Sequence, residues 1–324
     1  MKNQAIDKIA PVLTEVMIKK IENLSTRWNK PWLTSVRPGN MPRNLRGTAY
    51  SGANILTLAF LCEEMNYTTP VFMTFNQAKE EELTIVKGSK SFPVYYFFKY
   101  VFDPQTRESI PYETYVKLSV GEKERYKVLP IMRYYNVFNV DQTDFAEKYP
   151  ERYKALTRMG EPKDLSDGFQ HEQLDRMLSS NRWFCPITLK FSDRAYYQPG
   201  FDKIVCPEKR QFPNGVRFYG TLMHEMAHST GHESRLKRDV MNSFGSRKYA
   251  REELVAELTA ALSGIMLGVT ATLQDENAAY LKSWLQSMKE EPKFLMEILK
   301  DVTRATNMLT GKVNEIPGAC SQVA

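Results

Sequence analysis

The stretch "GTLMHEMAHSTGHESRL", residues 220–236, holds three of the chain's four histidines, His224, His228 and His232. It constrains the fold more than any other segment, because His-Glu-x-x-His binds a metal only when both histidines share one helix face, four residues being close to one turn. The surroundings predict that helix: Val216, Tyr219, Met223, Met226 and Ala227 form an apolar stripe, and Gly231 is placed to stop it. His224 and His228 then project together as imidazole ligands. Glu225, on an adjoining face, is within reach of a water at the metal as general base.

A catalytic zinc site keeps three protein ligands and an open position. His232 follows Gly231 directly, which is not the spacing of the three-histidine form of the motif. The better candidate lies in "YAREELVAELTAALSGIMLG", where Leu254, Leu258, Ala261, Leu262, Ile265 and Val269 mark a helical core face. Glu253 and Glu257 lie one turn apart, and Ala260 and Gly264 continue their strip with side chains small enough for close helix packing. Glu253 is therefore read as the third ligand and Glu257 as an acceptor that orients a ligand histidine. A solvated helical face is the competing reading. Imidazole and carboxylate donors point first to zinc, and manganese and nickel take the same donors.

Upstream, "IDKIAPVLTEVMIKKIENL" has helical periodicity, with Pro11 early in it or dividing it, and "NILTLAFLCEEMN" repeats the pattern. Thr74 with Gln77 forms a capping box that opens a short helix. From Val86 the texture changes to aromatic and β-branched runs broken by Gly88, Pro104 and Pro111, which read as strands. Their aromatics, Tyr95, Tyr96, Phe97, Phe98, Tyr100 and Phe102, are read as sheet core. Residues 145–180 are polar and charged. After them come "PITLKFSD" and "AYYQPGFDKIVCP", two strand-like runs with a hairpin turn at Gln198, Pro199 and Gly200. The run ending at Pro207 reads as an edge strand able to take up an extended peptide.

With 324 residues, two domains are expected. The class is α+β: a mixed N-terminal domain over residues 1–145, a connecting segment over 146–180, and a mainly helical domain with a small sheet over 181–324. No run approaches the length of a membrane helix, and Asp7 and Glu15 interrupt the N-terminal apolar positions, so neither membrane nor secretion is expected and the cytoplasm is. Cys62, Cys185, Cys206 and Cys320 form no paired motif, which fits reduced thiols.

The net charge of +6 is modest, so its distribution matters. Between residues 19 and 50, seven basic residues (Lys19, Lys20, Arg27, Lys30, Arg37, Arg43 and Arg46) stand against one acid, Glu22, an excess equal to that of the whole chain. Trp28, Trp32 and Tyr50 are interleaved with them. Aromatic faces that stack bases, flanked by cations that track phosphates, suit single-stranded DNA. Tryptophans anchoring a loop to the core would give the same composition.

Taken together, "NKPWLTSV", "YSGANILTL", "FMTFNQAKE", "VKGSKSFPVYYF" and "YYNVFNVDQT" resemble the N-terminal domain of ArdC-type antirestriction proteins, which also occurs in plasmid primases. "AYYQPGFDKIVCP", "LMHEMAHSTGHESRL" and "YAREELVAEL" resemble that family's zincin-like metallopeptidase domain. The stretch around residues 103–130 is longer here than in the family pattern, and no primase catalytic motif follows. The resemblance implies a single-stranded-DNA-binding N-terminal domain, a role in protecting incoming conjugative DNA of mobile elements from restriction, His224, His228 and Glu253 as Zn2+ ligands, and Glu225 as the catalytic glutamate. Two other functions fit the same residues: a regulatory zinc protease that cleaves a DNA-bound repressor or restriction component, its substrate a protein or peptide, and a DNA-binding protein whose zincin domain is inactive.

Overall fold

The computed structural model describes residues 4–26, 41–158, 169–243, 245–269 and 280–316. Trp28, Lys30, Trp32, Arg37 and Cys320 lie outside the described residues. Helix α1 (Gln4–Thr26) runs unbroken through Pro11 and buries Ile9, Leu13, Met17 and Ile21 along one stripe. After it come β1 (Arg43–Asn44), α2 (Ala53–Glu64), β2 (Val71–Met73) and α3 (Phe75–Glu80). Thr74 and Gln77 close the capping box that starts α3.

The longest strands follow, β3 (Phe92–Phe102) and β5 (Lys127–Asn139). They pair antiparallel from Phe92 opposite Val137 to Phe102 opposite Lys127, and with β1, β2 and β4 (Ser109–Ile110) they form a sheet of order β1-β2-β5-β3-β4. The stretch that is long by the family pattern forms β4, α4 (Tyr112–Lys117) and α5 (Val120–Lys123) at the far end of this ribbon. Its aromatics correct the expectation of a sheet core. Tyr95 is buried, but Tyr96 and Phe97 are 45% and 58% exposed, because the ribbon runs past the body that covers its base. Helices α6 (Phe145–Lys148) and α7 (Pro150–Arg158) follow, and Phe145 joins a small cluster with Val71, Met73 and Val140.

The second half opens with α8 (Glu172–Ser179) and then β6 (Ile187–Lys190), β7 (Tyr196–Gln198) and β8 (Lys203–Pro207), a three-stranded sheet of order β6-β8-β7. β8 is therefore central, not an edge. It pairs parallel with β6 and antiparallel with β7, and Pro207 is tolerated because it is the strand's last residue. β7 takes the edge. Helices α9 (Gly215–Thr230), α10 (Arg247–Leu267), α11 (Leu281–Glu290) and α12 (Pro292–Asn314) complete the α+β architecture.

Helix α10 packs between α9 and α12, and α12 also packs on α1, α2 and α8. Ion pairs Lys293–Asp7 (2.6 Å) and Lys289–Glu22 (3.2 Å) bracket the contact of α1 with the last two helices. One continuous apolar core thus runs from Ile9 and Leu56 through Phe218 and Leu258 to Val313. The thiols of Cys62, Cys185 and Cys206 are free and buried. Among the described residues no helix is long and apolar enough to cross a membrane.

Candidate metal centre

Asn214 caps α9 by accepting the backbone N–H of Arg217, and Phe218, Leu222 and Met226 seat the helix in the core. That fixes the face on which His224 and His228 sit. Their Nε2 atoms are 3.1 Å apart. Helix α10 brings Glu253 Oε2 to 3.4 Å from His224 Nε2 and 3.6 Å from His228 Nε2. A tetrahedral cation with ligand bonds of about 2.0–2.2 Å needs donors about 3.4 Å from one another. Two imidazole nitrogens and a carboxylate at these separations, all within 4.8 Å and buried or half-buried, fit such an ion.

Glu225 faces the same space and is 7% exposed. Burial pushes its carboxyl above the usual range, against the pull of His224 and His228 and a hydrogen bond from the Tyr197 backbone N–H. Burial pulls His224 and His228 down, but the carboxylates of Glu253, Glu257 and Glu252 more than reverse this. Glu253 is held well below the usual range by both histidines. The centre opens into a cleft of about 920 Å³ bordered by β7, with Tyr196, Tyr197, Arg217, Tyr249 and Tyr280 among its walls. Tyr249, one turn before Glu253, hydrogen-bonds to its carboxylate.

The orienting carboxylates differ in part from the sequence reading. Glu257 is buried, but its Oε1 lies 3.7 Å from His224 Nδ1, too far for a hydrogen bond, and that nitrogen has no partner. His228 Nδ1 instead lies 3.2 Å from Glu252 Oε1. Glu252 is clamped by Arg238, with Nε to Oε2 at 3.0 Å and Nη2 to Oε1 at 2.7 Å, and Arg238 also donates to Thr230 Oγ1 and the Ala227 carbonyl. Sequence reasoning missed both residues. The available signal was the adjacent acids of "REEL" at the start of the largely apolar part of the helix, since buried carboxylates demand partners. Gly231 ends α9 with a right-handed φ, so its need is space: a Cβ there would meet Val240 Cγ1 at 2.4 Å and Arg238 Nη2 at 3.0 Å. His232 stays outside the cluster and pairs with Ser234 Oγ.

The described residues expected from the sequence to contact DNA are placed differently. Arg43 is 8% exposed, which leaves it little surface to offer a phosphate. Tyr50 is half-buried, edge-on to Phe72 with ring centroids 6.3 Å apart. Arg46 is exposed but pairs with Glu80 at 3.0 Å. Lys20 pairs with Glu63, and Lys19 with Glu15 and Glu64. Among the described residues, the charges of Lys19, Lys20 and Arg46 are thus offset by acids that include Glu63, Glu64 and Glu80 from other helices.

Against known proteins, a family model described as a zincin-like metallopeptidase matches residues 172–300, and one described as the N-terminal domain of the anti-restriction factor ArdC matches residues 7–138. The chain is 29% identical to the metal-free crystal structure of the antirestriction protein ArdC from plasmid R388, with a TM-score of 0.65 over 94% of this chain and 99% of that one. Against the Mn(II)-bound structure of the same protein it is 27% identical, with a TM-score of 0.66 over 95% and 99%. It is 31% identical to an Escherichia coli DNA primase TraC over 87% of this chain but 18% of the primase, so it spans a small part of that relative. An uncharacterised Sinorhizobium fredii protein, y4eC, is 26% identical over 87% of this chain and 84% of its own length. Fold, site and these matches define a zincin-like metallopeptidase domain that follows an ArdC N-terminal domain. The chain is an ArdC-type protein.

Proposed function

We propose that the chain is a single-stranded-DNA-binding antirestriction protein whose zincin-like domain is a zinc-dependent peptidase. The observation that carries the enzymatic half is the convergence of His224, His228 and Glu253, with Glu225 beside them in one cleft. When bound by those three residues, a divalent cation supplies Lewis-acid polarisation of a peptide carbonyl and lowers the pKa of water. Glu225 is the base: its buried carboxylate takes a proton from water and returns it to the departing amide nitrogen. The free edge of β7 holds an extended peptide beside these groups by strand addition. The ArdC N-terminal match and the primase relatives support the DNA half.

Metal analysis of protein purified without added metal tests the centre. About one zinc per wild-type chain, lost in His224→Ala, is expected. Wild-type protein without metal would overturn the reading. Glu225→Gln should keep the metal and lose peptidase activity. If that variant still protects incoming DNA in a conjugation assay, peptidase chemistry plays no part in antirestriction.

A further inference from the structure

We propose that the exposed face of the β3–β5 ribbon is the stacking surface on which single-stranded DNA lies; this rests on the single-strand reading above and assigns it a site. In β3, alternate residues share a face, so Tyr96, Phe98 and Tyr100 line up. The register places Val94 opposite Tyr135, Tyr96 opposite Arg133 and Tyr100 opposite Leu129, which puts Arg133 and Tyr135 on that same face. Tyr96 is 45% and Tyr135 41% exposed, and their ring centroids are 6.2 Å apart. Phe98 is 6.1 Å from Tyr96 at a tilt of 36°, and the Arg133 guanidinium lies 4.8 Å over the Phe98 ring.

An exposed row of rings is unusual on a soluble surface unless something covers it. Charge identifies the cover. Between Lys87 and Tyr135 there are nine basic residues against five acidic ones. Among the described residues Arg133 has no carboxylate partner, whereas Lys19, Lys20 and Arg46 of the basic N-terminal stretch all do. Ile131 and Leu129 share this face opposite Phe98 and Tyr100, but the exposed rings of Tyr96 and Tyr135 flank Arg133. A polyanion with planar bases satisfies both: rings and Arg133 offer flat faces to bases, and the cation faces phosphate. The two-stranded ribbon supports these side chains on paired backbone, so the face is formed before the strand arrives.

The test is fluorescence anisotropy of a labelled thirty-nucleotide oligo(dT) with the full chain at low salt. Tyr96→Ala/Tyr135→Ala should bind at least about tenfold more weakly than wild type, and Tyr96→Phe/Tyr135→Phe, which keeps the rings, about as well as wild type. Abasic substitutions in the oligonucleotide should weaken wild type and barely affect the alanine variant. Wild type that fails to bind the oligonucleotide would refute the single-strand reading itself. Wild type that binds, with an alanine variant of equal affinity, would refute only the ribbon as its site and leave the face to a protein partner. Photocrosslinking of wild type to 5-iodouracil-containing oligo(dT) gives the variant-free check: crosslinks at Tyr96, Phe98 or Tyr135 support the assignment, and crosslinks confined to other elements overturn it.

Discussion

The Arg238–Glu252 pair lets stability and metal binding be separated by experiment. The side chains are 3% and 6% exposed. Glu252→Gln keeps the shape and one amide oxygen as acceptor but removes the negative charge, so the Arg238 guanidinium stays buried among neutral acceptors only: that amide, Thr230 Oγ1 and the Ala227 carbonyl. Removing one partner of a buried pair costs about 3–5 kcal/mol, because the other charge stays desolvated and unmatched. With a urea m-value of about 3 kcal/mol per molar, the midpoint of the metal-free protein should fall by about 1–1.7 M. The double variant Arg238→Met/Glu252→Leu takes both charges out and should recover most of that loss. It does not restore an acceptor to His228 Nδ1, so its zinc affinity, measured by chelator competition, should stay about 10- to 100-fold below wild type. A single variant within about 0.5 kcal/mol of wild type, or a double variant as unstable as the two single losses added together, would refute the account of a coupled buried pair.

Three more predictions follow from neighbouring contacts. Burial raises Asp202, but hydrogen bonds from Arg235 and Tyr197 more than reverse it, so its folded pKa lies below the unfolded value of about 3.9. The stability it contributes is present above that value and is lost as pH falls through the folded pKa; Asp202→Asn should lower the neutral-pH melting temperature and flatten its decline below about pH 4, and an unchanged acid limb would count against the pair. Gly231→Ala must push Val240 and Arg238 aside, so a loss of about 1–3 kcal/mol in urea denaturation is expected, with wild-type stability as the contrary result. Zinc at about a thousand times its Kd should stabilise wild type by about 4 kcal/mol and leave His228→Ala unmoved, as read by thermal denaturation.

Most of the candidate metal centre was legible because its parts are local. His224 and His228 sit one turn apart on an amphipathic helix, and Glu253 sits on a second helix with its own periodicity, so spacing alone aims each set of side chains. Glu252 was harder to place, since its significance depends on Arg238, which reaches it from a loop over fourteen positions of sequence separation. The ribbon misled for another reason. "FPVYYFFKYVF" is apolar at nearly every position and carries no period-two contrast, so nothing in it tells a covered face from an open one. Likewise, β8 looked like an edge because of Pro207, but strand order in a sheet is set by the crossover from β6, which no single run records. Among the described cations of the basic stretch, Lys19, Lys20 and Arg46 meet Glu63, Glu64 and Glu80 from other helices, a pairing that the local charge count does not record.

The packing of α1 against α11 and α12 sets a condition on biosynthesis. A ribosome releases α1 long before α12 exists, so the stripe of Ile9, Leu13, Met17 and Ile21 emerges with α2 as an early partner but without the last helices that complete its cover. Until the helices beyond residue 280 appear, the part of that stripe left open is a sticky surface for holdase chaperones and for other nascent chains. Closure of the core between α1 and α12 is a contact of very long sequence separation, which slows folding and defers its completion until α12 has been made. A stalled or truncated product should therefore aggregate rather than release a working N-terminal half.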